Sequence, residues 1–235
     1  MESESKAMIF RFVDPQPEQF SNPHLNVHLQ EYWKSGAPVL RSKEAQEASH
    51  DWSRVFGRDA PLNLEIGSGN GFFLAGMASH FPNENWLGLE IRYKRVMLCA
   101  KKIISKDLSN ALITRYDAWL IAELFGENSL SGLYTNHPDP WQKKRQAKKR
   151  LLNQQFCIWA ASALKPGCSW RIKTDFQQHI LTVLTHCEDL PLVVTGREDD
   201  VERNGAPWEH DIETNYQSKF REKGLPVYAL ELTRS

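Results

Sequence analysis

Apolar and polar residues alternate along this chain in blocks of two kinds. Short apolar runs that suit buried strands stand at Leu62–Ile66, Trp86–Glu90, Ala111–Arg115, Leu130–Asn136 and Ser169–Thr174, with later ones at Leu192–Thr195 and Val227–Thr233. Between them lie stretches with helical spacing: from Phe72, over Tyr93 to about Ser105, briefly at Ala118–Leu124, from about Ala147 to Leu164, and over Phe176–Cys187. In the long stretch Leu152, Phe156, Trp159, Ala160 and Ala163 fall at offsets 0, 4, 7, 8 and 11, which is one helical face. Lys165-Pro166-Gly167 then stops it. Repeated strand–helix units predict an α/β fold, a mostly parallel sheet with helices on both faces, whose ligands bind beyond the carboxyl ends of the strands. Residues 1–57 lack a clear period, are interrupted by Pro15, Pro17, Pro23 and Pro38, and read as an N-terminal arm with one helix around Ser42–Phe56. The domain proper is expected over 58–235, with the polar stretch Gly196–Gly224 as loop plus one short helix.

Composition changes this picture little. With 41% hydrophobic and 25% charged residues, the 235-residue chain suits one globular domain. Lys plus Arg equals Asp plus Glu at 29 each, so net charge gives no argument for nucleic acid, and only local patterning can. Cys99, Cys157, Cys168 and Cys187 form no CxxC pair and read as reduced, mostly buried thiols. The eight histidines show no metal-ligand spacing, so no metal is expected; they read as structural or surface, with His137 alone a candidate to line the reactive site. The start, MESESKAMIF, lacks the apolar run of a signal peptide, and no stretch approaches the roughly 20 apolar residues of a spanning helix. A cytoplasmic protein with no membrane contact is expected, as monomer or homodimer.

Chemistry gathers at the expected strand ends. Glu65 stands near the end of the first strand and is followed by Gly67, Gly69 and Gly71. Glycines allow a sharp turn and close approach of a ligand. The spacing is GxGxG, and Phe72 stands where the dinucleotide pattern has its third glycine. An acid just before the loop repels a pyrophosphate and suits a cation, such as the sulfonium and ammonium of S-adenosylmethionine. Glu90 ends the second strand, 23 residues beyond Gly67, where a carboxylate can accept ribose hydroxyls. Asp117 follows the third strand, within reach of an adenine amine. Each acid alone could be a cap; three at successive strand ends point to one cofactor.

The fourth strand runs into Asn136-His-Pro-Asp-Pro-Trp-Gln-Lys-Lys-Arg145. Pro138 and Pro140 restrict the backbone around Asp139, which a reactive carboxylate requires, and Trp141 offers a stacking surface. Lys143, Lys144, Arg145, Lys148, Lys149 and Arg150 follow. Acid, aromatic and basic run together suit looped or single-stranded RNA. Placed at a helix N-terminus, these cations would oppose the macrodipole and so call for an anionic partner. A second acid-free basic stretch, Arg92 to Lys106, extends the same surface or is a solvated helix face.

On these residues the chain resembles the bacterial tRNA (guanine-N7-)-methyltransferase family. The resemblance is carried by EIGSGNG, GLEIR, Asp117-Ala118, PDPWQKKR with its KKRL, LKPG, KTD at 173–175 and TNYQSKF at 214–220. It runs from about Trp52 to the C-terminus, and more loosely over Asn22–Val27. It implies a Rossmann-like class I S-adenosylmethionine-dependent methyltransferase with a seven-stranded sheet, acting on N7 of a guanine in tRNA, at position 46 of the variable loop. By position, Glu65, Gly67, Gly69, Glu90, Asp117 and Asp139 would meet the cofactor, and Asp139 the reaction centre. Lys143, Asp175, Thr214, Asn215, Tyr216 and Gln217 would meet the target nucleotide, and Lys144, Arg145, Lys148, Lys149 and Arg150 the tRNA backbone. The chain departs from the family pattern at Gln142, Gln146 and Gln217, where proline, histidine and glutamate are usual. The competing readings are a methyltransferase of another RNA, a protein or a small molecule, and a non-catalytic RNA-binding paralogue. A nicotinamide oxidoreductase is disfavoured by Phe72 and Glu65.

Overall fold

The computed structural model describes residues 27–49 and 51–235; residues 1–26, with the looser match at Asn22–Asn26, and His50 lie outside them. Eight strands form one sheet: β1 (Val39–Leu40), β2 (Leu62–Ile66), β3 (Asn85–Glu90), β4 (Ala111–Arg115), β5 (Leu130–Asn136), β6 (Leu164–Thr174), β7 (Leu192–Glu198) and β8 (Tyr228–Arg234). Their order is β1-β4-β3-β2-β5-β6-β8-β7. Pairs from β1 to β6 are parallel, and β8 runs antiparallel to both β6 and β7. The helices are α1 (Val27–Lys34), α2 (Ser42–Glu47), α3 (Trp52–Phe56), α4 (Phe72–His80), α5 (Tyr93–Ser105), α6 (Gln154–Ala163), α7 (Gln177–Cys187), α8 (Val201–Asn204) and α9 (Asn215–Glu222). Short 3-10 turns span Ala118–Glu123 and Lys144–Lys149.

Alternation along the strands divides the core. On one face Leu62, Leu64, Ile66, Leu87, Leu89, Leu133, Trp170, Ile172, Leu230 and Leu232 pack with Trp52, Phe156, Ile180 and Val183 from α3, α6 and α7. On the other, Trp86, Ile113 and Tyr134 meet α1, α4 and α5 through Leu29, Tyr32, Phe73, Leu74, Met77, Val96 and Ile103. Beyond Tyr134 this second face turns polar: Arg171 and Glu231 follow it in register, bonded to each other at 2.7 Å. The segment from α8 to α9 covers that polar half, where Val201, Val227 and Ala229 form a small core with Trp208 and Phe220.

Four expectations change. The sheet has an eighth strand, β1, too short for any alternation to show, and paired to β4 by two residues. The helix expected over Ser42–Phe56 is two helices, α2 and α3, with Asp51 capping the second through Arg54 N. The long helix begins at Gln154, not Ala147, because the Asn153 side chain accepts from Phe156 N at 3.0 Å and caps it there. Leu152 is buried from the turn before it rather than from the helical face. The macrodipole argument for the basic run therefore falls, since these residues occupy a separate 3-10 turn. Finally, the polar stretch at 196–224 holds the end of β7 and two helices.

Candidate active site

Strands β2 to β6 deliver their carboxyl ends to one edge. There the glycine loop leaves β2 with Gly67, Gly69 and Gly71 at φ 75°, 54° and 75°, a conformation that favours glycine. The amides of Gly67 and Ser68 both donate to Leu89 O, at 2.8 and 3.0 Å, and Gly69 N donates to Glu90 Oε2 at 3.1 Å. A Cβ on Gly71 would meet Cys99 Sγ at 2.5 Å, so the loop lies directly on α5. Glu90 Oε1 accepts from Ile91 N and Arg92 N at 2.8 and 2.9 Å. These amides fix the carboxylate's direction and leave acceptor capacity for ribose hydroxyls. Asp117 Oδ1 accepts from Trp119 N at 3.0 Å, so this acid is also a cap.

Glu65 is no cap. It is 2% exposed; Oε1 accepts from Asn136 Nδ2 at 3.1 Å, and Oε2 has no partner. Burial raises its pKa to about 7, against the opposing pull of Asn136, Ser68 and Lys173 and with a further push from Glu90. A buried carboxylate oxygen without a partner is costly. A cationic ligand at this edge satisfies it, and a pyrophosphate does not; the residues present fit S-adenosylmethionine.

The neighbouring loop is pinned at both ends. His137, at φ 49°, donates its amide to Lys173 O at 2.7 Å. Arg150 donates from Nε to Pro140 O and from Nη2 to Trp141 O, both at 3.1 Å, with its guanidinium 5.2 Å from the Phe176 ring centre. Asp139 is held exposed between these anchors. Arg150, expected on the tRNA surface, is therefore spent on the loop. Lys143, Arg145, Lys148 and Lys149 are exposed, Lys149 lying 4.9 Å from the Trp141 ring centre, and Lys144 opens the same turn.

Beyond β6, Asp175 is half-buried, 3.7 Å from His137 Nδ1. Burial opposes its charge, yet His137, its own backbone amide and His179 outweigh that and hold the carboxyl below its ordinary range. The His137 ring packs near those of Tyr216 and Phe220 of α9, with centroids 6.2 and 5.6 Å away. Thr214 caps this helix, accepting from Gln217 N at 3.0 Å, and Asn215 is its first residue. Tyr216 is exposed, whereas Gln217 is buried and accepts from Lys173 Nζ at 2.9 Å. Gln217 thus faces the protein interior, contrary to the expectation that it meets the nucleotide. Asn136 and Lys173 gain central places that the sequence reading did not assign, while His137 stands beside Asp175 and α9, where it was expected to line the site. The signal for Asn136 and Lys173 was there: a polar residue at the end of β5 and another at the end of β6.

Glycine loop, carboxylate strand tips and this sheet order define a class I S-adenosylmethionine-dependent methyltransferase. Residues 59–230 match the family model described as "Putative methyltransferase". A tRNA (guanine-N(7)-)-methyltransferase from Listeria monocytogenes is 33% identical over 194 residues, covering 83% of this chain and 90% of the relative. One from Halalkalibacterium halodurans is 34% identical over 182 residues, covering 77% and 81%. The chain belongs to the tRNA (guanine-N7-)-methyltransferase family. Among solved structures, the 16S rRNA methyltransferase KamB matches with TM-score 0.59 at 15% identity, covering 79% of this chain and 93% of that one, a likeness of fold alone. Among the described residues no helix is long and apolar enough to cross a membrane, and no three His, Cys, Asp or Glu side chains are grouped to hold a metal.

Proposed function

We propose that this protein transfers the methyl group of S-adenosylmethionine to N7 of a guanine in tRNA, at position 46 of the variable loop, in the cytoplasm. The observation that carries the reading is the juxtaposition of a cation-seeking carboxylate, Glu65, with a pinned acidic loop that continues into the exposed Lys143, Arg145, Lys148 and Lys149. Glu65, Glu90 and Asp117 hold the cofactor, and the exposed Ile91 and Trp119, each one or two residues after an acid, offer apolar walls for its adenine. N7 carries a lone pair and no proton, so the attack needs no general base. The protein's work is to place N7 in line with the methyl group. Asp139 stabilises the positive charge that moves onto the purine. Asp175, kept ionised, accepts from guanine N1–H and the exocyclic amine, and Lys143 meets O6 or a phosphate. Trp141 and Tyr216 flank the base once it leaves its stack.

Purified protein incubated with labelled cofactor and unmodified tRNA is expected to yield 7-methylguanosine at one variable-loop site. Label on protein alone, or at another base atom, would overturn the reading. The basic turn makes a separate expectation. Lys148→Ala weakens tRNA binding and reduces the slope of log affinity against log salt by about one. Arg150→Ala leaves that slope unchanged and lowers kcat instead, because its guanidinium holds the Asp139 loop. Filter binding between low and moderate salt, with parallel kinetics, separates the two; equal slopes for wild type and Lys148→Ala would remove the patch from the interface.

A further inference from the structure

Lys173 is 1% exposed, near the end of β6. Its Nζ donates to Asp211 Oδ1 at 2.7 Å, to Ile212 O at 2.9 Å and to Gln217 Oε1 at 2.9 Å, which uses all three ammonium protons. The three acceptors belong to the segment that leads into and opens α9. On its other side Lys173 stands in register with Asn136, whose amide donates to Glu65 Oε1. Neighbouring strand ends thus carry Asn136, bonded to Glu65, beside Lys173, bonded to Asp211 and Gln217. Burying an ion pair adds little stability over an apolar pair of the same volume, so stability alone is a weak reason for a lysine here.

We infer that Lys173 is a positioning residue that couples the cofactor carboxylate Glu65 to the 211–217 segment presenting the target nucleotide. The inference rests on the proposed function. The groups that bear on the Glu65 carboxylate are Ser68 of the glycine loop, Glu90 of β3, Asn136 of β5, Lys173 of β6 and Cys99 of α5. Lys173 is the one cation among them, and its charge favours the ionised carboxylate that a cationic cofactor needs. The same ammonium fixes the entry to α9, and with it Thr214 and Tyr216. Gln217 then serves as a neutral acceptor beside the Lys173–Asp211 pair rather than as a reader of the guanine edge.

The test uses the full chain with Lys173→Met and Asp211→Leu combined, which removes both charges together and leaves neither unpaired. Binding of S-adenosylmethionine is measured by calorimetry without RNA across pH 5.5–8.5, and tRNA methylation kinetics are measured beside it. The pH midpoint of cofactor affinity is expected to rise by about half a unit or more as Glu65 loses its cation. The KM for tRNA is expected to rise about tenfold while kcat stays within about threefold. Lys173→Arg, which keeps the charge, keeps the wild-type midpoint. A folded double variant with the wild-type midpoint overturns the coupling, and so does an arginine variant displaced as far as the double variant. If the double variant does not fold, Lys173→Gln takes its place and is read in the same way. Failure of the wild-type protein to methylate tRNA would strike the proposed substrate and leave the midpoint comparison, made without RNA, standing.

Discussion

Asp139→Ala lowers kcat/KM for tRNA methylation on the order of a thousandfold, the scale of losing one preorganised electrostatic group. Its affinity for S-adenosylmethionine stays within about tenfold, because Glu65 and Glu90 are held by contacts of their own. Its Tm barely moves, since Asp139 is exposed and the loop around it is anchored by His137 N and Arg150 rather than by the acid. Asp139→Asn separates charge from shape: the amide keeps the volume and one acceptor but not the negative charge. If charge on the purine is what Asp139 stabilises, the asparagine variant is nearly as slow as the alanine one. Labelled-methyl transfer under single-turnover conditions, with calorimetric cofactor binding, reads both quantities. Wild-type transfer by either variant would remove Asp139 from the reaction centre.

Glu65→Gln produces the largest change in cofactor binding. Losing one member of a buried charge pair reduces affinity at pH 8 by roughly a hundredfold. The pH dependence changes as well. With its pKa raised to about 7, Glu65 is mostly protonated in the ligand-free protein at pH 6 and mostly ionised at pH 8. Cofactor affinity of the wild type therefore climbs as pH rises through 7, and binding near pH 6 releases close to one proton. The glutamine variant shows neither effect. Stability moves in the opposite sense. A carboxyl whose folded pKa lies above its ordinary value stabilises the fold while protonated, and that contribution fades as pH rises from about 4.5 to about 7. Glu65→Gln has no proton to lose, so without ligand it is the more heat-stable protein at pH 8, and the cofactor raises its Tm little. Thermal unfolding at pH 6 and pH 8, with and without S-adenosylmethionine, is the measurement. A pH-independent affinity in the wild type would show that Glu65 does not face the cofactor's charge.

Much of this architecture can be read along the chain. The runs at Leu62–Ile66, Ala111–Arg115 and Leu130–Asn136 are strands with those same ends, and Tyr93–Ser105 is a helix with those ends. Each strand shows as an apolar run set off by turn-forming neighbours such as Pro61, Asn110 and Asn128, and the helix shows by its 3.6-residue period. The acids at the strand tips were legible for the same reason, because an α/β fold delivers every strand end to one edge. Reading failed where local pattern and tertiary demand diverged. Leu152 kept the helical offset but sits before the cap at Asn153, so periodicity carried α6 back into residues that belong to a separate 3-10 turn and a bend. β1 has two residues and no period at all. The segment around α9 is polar in sequence because it covers a polar sheet face, and polarity alone reads as loop.

By itself, the order of residues determined the alternating α/β plan, the glycine turn, the row of acids at the strand ends and the family. All of these follow from short-range periodicity and from residue types at fixed spacing. Tertiary structure alone decided where the polar side chains point. Arg150 turns back to two carbonyls, Gln217 turns inward to Lys173, and Glu65 keeps one oxygen unpartnered. A charge in a sequence carries no direction, and its partner is chosen by strand register and by segments distant in the chain, as Asn136 is 71 residues from Glu65.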